Sequence, residues 1–214
     1  DELRTYAGIV LAATALVSMD LLAHSRYGLW NTLRHSSFQV VSVITTTGFT
    51  TVDYDIWPPL SRAILLLLMF VGGSGGSTGG AIKVVRMNVL AKHSIRELKR
   101  AVYPRRVTVI RLNGKAVPEE VSSAVLAFVI LYLSVFLLSM LALSAMGLDF
   151  MSAVGAVAAT LGNIGPGFGL VGPTCNYSAV PTIGKWLLSF CMLVGRLEVY
   201  TVLSLLVPGF WRRP

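Results

Sequence analysis

Long apolar stretches alternate with short ones along the chain, and their lengths predict its helices. Residues 6–23, 119–146 and 185–208 are long enough to cross a membrane, since the hydrocarbon core is about 30 Å thick and takes about 20 apolar residues. The apolar runs at 36–44 and 60–71 are too short to cross. The first of them has the length of a re-entrant helix, and the second leads into a glycine-rich stretch. The pattern therefore predicts a helical membrane protein with interrupted segments.

The order of the segments repeats. A span, a short helix, a turn and a second span come first, and the same order begins again in GLDFMSAVGAVAATLGNIGPGFG, where Asp149 is the predicted N-cap. Setting TTGFT (46–50) against NIGPG (163–167) pairs Gly48 with Gly165 and keeps a polar residue two places earlier. Pairing Gly48 with Gly162 is the alternative. Either alignment indicates an internal duplication.

These observations predict an all-α polytopic membrane protein built from two tandem repeats. Each repeat is a helix, a re-entrant pore helix and a second helix. The predicted divisions are residues 1–82 for the first repeat, 83–118 for a basic cytoplasmic helix and loop, and 119–214 for the second repeat with the final span.

Composition agrees with a membrane location. The chain is 54% hydrophobic and 13% charged, whereas soluble domains carry about 25% charged residues. Ten of its lysines and arginines lie between Lys83 and Lys115, with Glu97 as the one acid. A basic stretch beside apolar spans is typical of a cytoplasmic loop, so nucleic-acid binding is not favoured. Residues 24–59 and 147–184 then face outward, with Asp53, Asp55 and Asp149 either concentrating cations at an outer mouth or serving as ordinary loop acids.

The re-entrant turns suggest the chemistry. Non-helical backbone is tolerated at membrane depth only where it lines a cavity or is buried in protein. The segment TTTGFT offers a row of carbonyl oxygens, and Gly48 can adopt the positive φ that turns a carbonyl towards an axis. The partly negative C-terminal end of a short helix favours a cation at the same place. Two such turns predict a filter in which carbonyl oxygens replace the hydration shell of an ion.

The glycine-rich stretch VGGSGGSTGG (71–80) interrupts a membrane helix. A phosphate-binding loop requires Gly-Lys-Ser/Thr, and Lys83 comes too late for that pattern. A linker in water is disfavoured because too few apolar residues precede the stretch. We expect a mobile plug below the filter, or a static kink that makes room for neighbouring helices. Arg196 lies within the last span, where a cation is costly, and we expect it to face the pore or to pair with another helix; Glu198 is badly placed to pair with it.

The chain resembles TrkH-type subunits of the Trk/Ktr/HKT potassium transporter superfamily. The resemblance lies in TTTGFTTVDYDIWP, FVGGSGGSTGGAIKVVR, ATLGNIGPGFG and GRLEVYTVLSLLVPGFWRR. It implies the third and fourth repeats of a four-repeat pore, in a bacterial inner membrane, with K⁺ as the transported ion. The implied filter residues are Thr46, Thr47, Gly48 and Phe49, followed by Asn163, Ile164, Gly165 and Pro166. Among these, Thr46, Thr47, Asn163 and Ile164 are the implied metal ligands.

The resemblance also implies gating and partners. The implied gating residues are Gly72, Gly73, Gly75, Gly76, Gly79 and Gly80; Arg196 joins them as the electrostatic barrier expected from its position in the last span. The implied partners are an N-terminal half with two further repeats, a second copy of the subunit in a homodimer, a cytosolic nucleotide-binding ring of the TrkA type, and membrane lipid. The second filter segment has Asn and Pro where the first has Thr and Phe, so a fully symmetric ring of ligands is in doubt.

Other function classes were weighed from the residues themselves. The chain offers no nucleophile–base set and no metal-ligand spacing, so we predict neither an enzyme nor an organic cofactor. A secondary transporter that binds a polar solute at its broken helices is the alternative function. A membrane-bound nucleotide-binding enzyme that uses the glycine run is a further one. Coupling to H⁺ or Na⁺ and the gating ligand are not indicated by the sequence.

Overall fold

In the computed structural model, residues 2–24, 27–103, 109–112, 114–197, 200 and 202 are described. Their α-helices are α1 (Glu2–His24), α2 (Leu29–Ile44), α3 (Pro59–Leu68), α4 (Val84–Val102), α5 (Glu119–Ala145), α6 (Phe150–Leu161) and α7 (Thr182–Leu197). The two-residue strands are β1 (Val71–Gly72), β2 (Ile82–Lys83), β3 (Arg111–Leu112) and β4 (Lys115–Ala116). Short 3₁₀ turns at Gly169–Val171 and Tyr177–Ala179 follow α6.

Two helices have the length and composition of membrane spans. Within the described part of the chain, α1 and α5 meet both criteria, and α3 and α6 are shorter apolar helices. The predicted last span at 185–208 begins within α7, but Glu198 and most of its later residues lie outside the described part. Many leucines of α1 and α5 are exposed, among them Leu11, Leu137 and Leu138. This is the surface that a helix in contact with lipid presents.

The helices form two clusters in chain order. Helix α1 packs against α2 and α3, and α5 packs against α6 and α7. Helix α4 contacts both α1 and α5 and so links the clusters. The core is continuous between the clusters and includes Leu21, Ile44, Leu65, Tyr132 and Leu161.

The short helices are those with the most polar or small residues on their buried faces. Helix α2 begins at Leu29, earlier than the apolar run at 36–44 suggested, because Thr32, Ser36 and Gln39 are also buried in it. The buried Ser36 hydroxyl lies 2.6 Å from that of Ser18 on α1, which satisfies both groups in the core. In α6 every residue from Ser152 to Leu161 is buried. Small side chains in α6 allow its neighbours to approach closely, as membrane helix interfaces require.

Candidate ion-binding site

Helices α2 and α6 end in the same turn. After α2, the N–H of Thr46 donates to Val43 O and that of Thr47 to Ser42 O, both at 3.0 Å. After α6, the N–H of Asn163 donates to Thr160 O at 3.0 Å and that of Ile164 to Ala159 O at 2.8 Å. Each pair of bonds forms a Schellman motif, in which a left-handed residue follows the C-cap.

The two turns also share their backbone angles. Thr46 and Asn163 have left-handed φ values of 56° and 55°, and Gly48 and Gly165 have φ values of 76° and 114°. Gly162 has a φ of −75°, unlike Gly48. The geometry therefore supports the pairing of Gly48 with Gly165 over the alternative with Gly162.

Thr46 is the unusual member of this set. Asparagine tolerates the left-handed region, but a β-branched residue there is an outlier. Such strain costs on the order of 1–3 kcal/mol and is found at functional sites that the surrounding structure holds in place. The identity of Thr46 therefore gave no sequence signal for this conformation.

The two candidate filter segments lie against each other through their backbones. A Cβ added at Gly48 would overlap the carbonyl oxygen of Ile164 and would lie 3.1 Å from Cδ of Pro166. Gly48 is therefore required for two reasons, its positive φ and this close approach. Gly165 has open space where a Cβ would stand, so only its φ favours glycine.

Several groups of the two turns are hydrogen-bonded to side chains or helices. Ser42 Oγ donates to Phe49 O at 2.6 Å, and the Tyr177 hydroxyl donates to Gly165 O at 2.7 Å. The Asn163 side chain donates from Nδ2 to Met192 O of α7 at 3.1 Å. The amide nitrogen of Asn163 is thus bound to α7. Burial raises the pKa of Tyr177 to about 12, so its hydroxyl keeps the donated proton at neutral pH.

The outer acids are engaged in contacts with the protein. Asp55 forms an ion pair with Arg62 at 3.0 Å and accepts the N–H of Gly169 at 3.0 Å. Asp53 accepts the Thr174 hydroxyl at 3.4 Å. Asp149 caps α6 by accepting the N–H of Ser152 at 3.1 Å, and hydrogen bonds from Ser152 lower its pKa. These acids therefore have structural contacts, whether or not they also attract cations.

The glycine-rich stretch folds into a loop with a closed neck. Its ends pair as a parallel ladder, with Val71 opposite Ile82 and Gly72 opposite Lys83. A Cβ at Gly72 would overlap Gly80 O, so the neck closes only with glycine. Within the loop, the Gly75 N–H donates to Glu2 Oε1 at 2.5 Å, and the Gly76 Cβ position is open.

This loop lies directly against both turns. A Cβ at Gly79 would stand 3.1 Å from Thr46 Oγ1, and one at Gly80 would overlap Gly162 O and stand 3.0 Å from Cβ of Asn163. A Cβ at Gly73 would lie 2.7 Å from Oγ of Ser77. The loop therefore packs against the ends of both turns.

Arg196 lies beside the same loop. A cavity of about 230 Å³ is lined by Arg196, Lys83 and Arg86 together with Ser77, Thr78 and Gly79. The preceding Gly195 packs so closely on α6 that a Cβ there would overlap Leu161 O. The cavity is therefore basic. Glu198 lies outside the described residues, so its relation to Arg196 stays untested.

A model of the TrkH family, described as cation transport proteins, matches residues 16–209. The chain belongs to the TrkH family. The Trk system potassium uptake protein TrkH of Salmonella typhimurium is 44% identical over 212 residues, which cover 99% of this chain and 44% of that protein. TrkG of Escherichia coli K12 is 35% identical over 99% of this chain and 43% of its own length.

A solved TrkH structure has the same fold. The crystal structure of the potassium transporter TrkH from Vibrio parahaemolyticus matches with a TM-score of 0.91 and 43% identity, over 99% of this chain and 45% of that one. The chain thus spans less than half the length of the curated relatives it matches. These findings confirm the predicted family and the predicted all-helical fold class. They also confirm the predicted location, a multi-pass protein of the inner membrane.

Several residues that hold the two turns in place were not predicted from the sequence. Ser42, Tyr54 and Tyr177 bond to the turn segments or the residues next to them, and Gly195 allows α7 to approach α6. Ser42 was detectable as a polar residue in a short apolar helix. The tyrosines carry no local signal, because their partners are distant in sequence or in an irregular loop.

Proposed function

We propose that this chain forms two of the four walls of a K⁺ pore and takes part in potassium uptake. The observation that carries the proposal is the pair of turns at the ends of α2 and α6, which share left-handed angles at Thr46 and Asn163 and at Gly48 and Gly165. Turns of this shape expose consecutive carbonyls, and rings of carbonyls replace the hydration shell of K⁺ in selective channels.

The proposed ligands are the backbone oxygens of 46–49 and 163–166. The C-terminal ends of α2 and α6 add partial negative charge at the same place, which favours a cation. Two of these oxygens, Phe49 O and Gly165 O, already accept hydrogen bonds from the hydroxyl groups of Ser42 and Tyr177. The two bonded oxygens stand at different positions, since Gly165 is the equivalent of Gly48 and Pro166 that of Phe49, so we infer that the two segments offer different oxygens to the ring of ligands.

The ring requires two further repeats. A groove of about 560 Å³, lined by Phe38, Val41, Thr47 and Phe49 among others, opens beside the first turn. Phe49 is 70% exposed, and a large exposed apolar side chain beside a mostly apolar groove fits a surface that other repeats cover. We propose that an N-terminal half supplies these repeats and that the complete subunit forms homodimers surrounded by membrane lipid.

The glycine loop and Arg196 are the proposed gate. The loop lies under both turns and borders the basic cavity at Arg196, so it would block an ion that leaves the filter inward. Arg196 would add an electrostatic barrier to cations. A TrkA-type ring on the basic segment 83–115 would control the loop from the cytoplasmic side.

The test is K⁺ uptake by the gene that encodes this chain. Expression in a strain that cannot grow on low potassium should restore growth, and the same gene with Gly48→Ser should restore it less and admit more Na⁺. The ratio of K⁺ to Na⁺ flux in reconstituted vesicles measures selectivity directly. Wild-type protein that is folded and inserted yet carries no K⁺ would refute the proposal, and substrate-dependent counterflow of a polar solute would favour a secondary transporter instead.

Shortening the loop tests the gate separately. Removal of Ser74–Ser77 should raise K⁺ flux, because the neck at Val71 and Ile82 stays paired while the loop above it becomes too short to fill the space. Arg196→Ala should also raise the flux. Flux equal to that of the wild type in both folded variants would contradict the gating role and leave the filter proposal unaffected.

A further inference from the structure

The loop that follows the first turn crosses to the second repeat. The Tyr54 hydroxyl donates to Gly167 O at 3.0 Å. The Asp55 carboxylate accepts the N–H of Gly169 at 3.0 Å, and Asp53 accepts the Thr174 hydroxyl at 3.4 Å. Three consecutive residues of one repeat thus hold the loop of the other, and we name Asp53, Tyr54 and Asp55 the outer clasp.

The centre of the outer clasp is buried. Tyr54 and Phe168 are both fully buried, and their rings meet edge to face with centroids 5.3 Å apart. The Arg62 guanidinium is paired with Asp55 at 3.0 Å and lies 5.9 Å from the centre of the Phe168 ring. A buried hydrogen bond is strengthened by the low local dielectric, and its loss leaves an unpaired polar group.

The clasp is attached where the filter segments end. Gly167 directly follows Pro166, the last residue of the second proposed filter segment, and Tyr54 comes shortly after Phe49, the last residue of the first. The N–H of Gly167 also donates to Val171 O at 2.7 Å. Gly167, whose carbonyl accepts the Tyr54 hydroxyl, is therefore fixed by a second hydrogen bond within its own loop. The ends of the two segments are therefore joined to each other by side chains outside both segments, among them the buried Tyr54.

We propose that Tyr54 and Asp55 are positioning residues that set the spacing of the two filter segments and so the preference for K⁺ over Na⁺. The inference rests on the proposed function, because it concerns the same pore. The number and rigidity of the coordinating carbonyls determine which ion is favoured. The outer clasp keeps Ile164 O next to Gly48 and so fixes the position of one filter segment relative to the other. When a contact of the clasp is lost, the segments can move closer together, and their carbonyls can then coordinate the smaller Na⁺.

The test is the flux ratio of Tyr54→Phe and Asp55→Asn in the full-length protein. Tyr54→Phe removes the hydrogen bond to Gly167 O, and Asp55→Asn removes the charge that pairs with Arg62 and one of the two carboxylate acceptors, while each keeps the shape of the side chain. We expect the K⁺/Na⁺ flux ratio in vesicles to fall by roughly 3- to 10-fold, the equivalent of one lost hydrogen bond, with K⁺ flux per inserted protein within about twofold of the wild type. A purely structural role would lower the amount of folded protein and leave the ratio of the remainder unchanged.

Two variants serve as matched controls. Tyr200→Phe removes a tyrosine hydroxyl that donates to a backbone carbonyl, Ala124 O, at the same distance of 3.0 Å, away from the turns. Asp149→Asn removes an outward acid, as Asp55→Asn does, but keeps a side chain that caps helices equally well. Both controls should keep the wild-type K⁺/Na⁺ flux ratio. A changed ratio in Asp149→Asn would mean that the negative charge at the pore entrance, and not the outer clasp, determines the ratio, and it would overturn the inference.

The outcomes separate this inference from the proposed function. Folded wild-type protein that carries no K⁺ overturns both, and wild-type protein that carries K⁺ and Na⁺ equally well overturns this inference but not potassium uptake. If the wild-type protein is selective and the K⁺/Na⁺ flux ratio falls in Gly48→Ser but not in folded Tyr54→Phe, only the proposed role of the outer clasp is overturned. If Asp55→Asn is not recovered in folded form, Tyr54→Phe decides, since it removes a single oxygen atom. As a second measurement, the rise in melting temperature that K⁺ produces should shrink in Tyr54→Phe and stay unchanged in Tyr200→Phe.

Discussion

Gly48 and Gly165 occupy equivalent positions in the two turns, but glycine is required at them for different reasons. Gly48 has a positive φ and also stands where any Cβ would overlap Ile164 O, whereas Gly165 has a positive φ and open space. A left-handed non-glycine residue costs roughly 1–2 kcal/mol. At Gly48 a Cβ would also displace the neighbouring backbone at Ile164, whose carbonyl oxygen is a proposed ligand.

We predict that Gly48→Ala is more damaging than Gly165→Ala. Gly165→Ala should lower the free energy of unfolding by about 1–2 kcal/mol, the cost of the left-handed angle, and keep most of the K⁺-dependent stabilisation. Gly48→Ala should lower it further and abolish that stabilisation. Thermal unfolding of both variants in detergent, in K⁺ and in Na⁺, checks this, and equal effects would contradict the close approach.

We predict that Thr46→Asn is tolerated or stabilising. The variant places in the first turn the residue that the second turn has at Asn163, and asparagine reaches the left-handed region at lower cost than threonine. The free energy of unfolding should stay unchanged or rise by up to about 1 kcal/mol, a fraction of the strain that such positions store. A loss greater than 1 kcal/mol would mean that the Thr46 side chain is needed in its contact with the glycine loop.

The sequence predicted some of these residues and not others. The positive φ of Gly48 followed from a glycine at the end of a short apolar helix. The same angle at Thr46 did not, because threonine disfavours it and only the tertiary structure imposes it. Tyr54 was not predicted because its partner, Gly167, is more than a hundred residues away and no local pattern encodes that contact.

At the scale of elements, helix ends were predicted best where the caps are local. Helix α5 begins at Glu119 after Pro118, and α6 begins after the predicted N-cap, Asp149. Helix α2 was predicted too short because its polar residues are buried against other helices. The paired neck of the glycine loop was not predicted either, since two-residue strands have no periodicity to detect. The predicted divisions at 1–82, 83–118 and 119–214 stay a prediction.

The Asp149 cap should have a pH-dependent effect on stability. Asp149→Ala should lower the free energy of unfolding by about 1 kcal/mol at pH 7, the usual value of an N-cap. Hydrogen bonds from Ser152 lower the pKa of Asp149 from its ordinary value of 3.8, so the charged cap stabilises above pH 3.8 and its contribution is lost as pH falls through the folded-state pKa. Unfolding of both proteins measured at neutral and acidic pH checks this, and a difference that grows with acidity would contradict it.

At the scale of the whole molecule, the two repeats have the same orientation. Both short helices end at turns that lie against each other, and both following loops meet in the outer clasp. In the sequence, ten of the 18 lysines and arginines fall between Lys83 and Lys115, on α4 and in the stretch that follows it. Since cytoplasmic loops carry the excess of Lys and Arg, the clasp and both loops should face the cell exterior. Family membership confirms the membrane location but not this orientation.

The two native cysteines allow this orientation to be measured without a new label on the outer side. Cys175 is exposed in the loop after α6, and Cys191 is buried in α7 with its thiol 3.2 Å from Ser139 Oγ. A membrane-impermeant maleimide added to intact spheroplasts should therefore modify Cys175 and not Cys191, and Cys175→Ser should remove the label from the peptide that contains residue 175. Adding Ser94→Cys to Cys175→Ser introduces a thiol at an exposed position of α4, which should react only after the membrane is permeabilised. Labelling of Ser94→Cys in intact spheroplasts would place the basic segment outside, and both turns would then enter the membrane from the cytoplasmic face, contrary to the uptake pore proposed here.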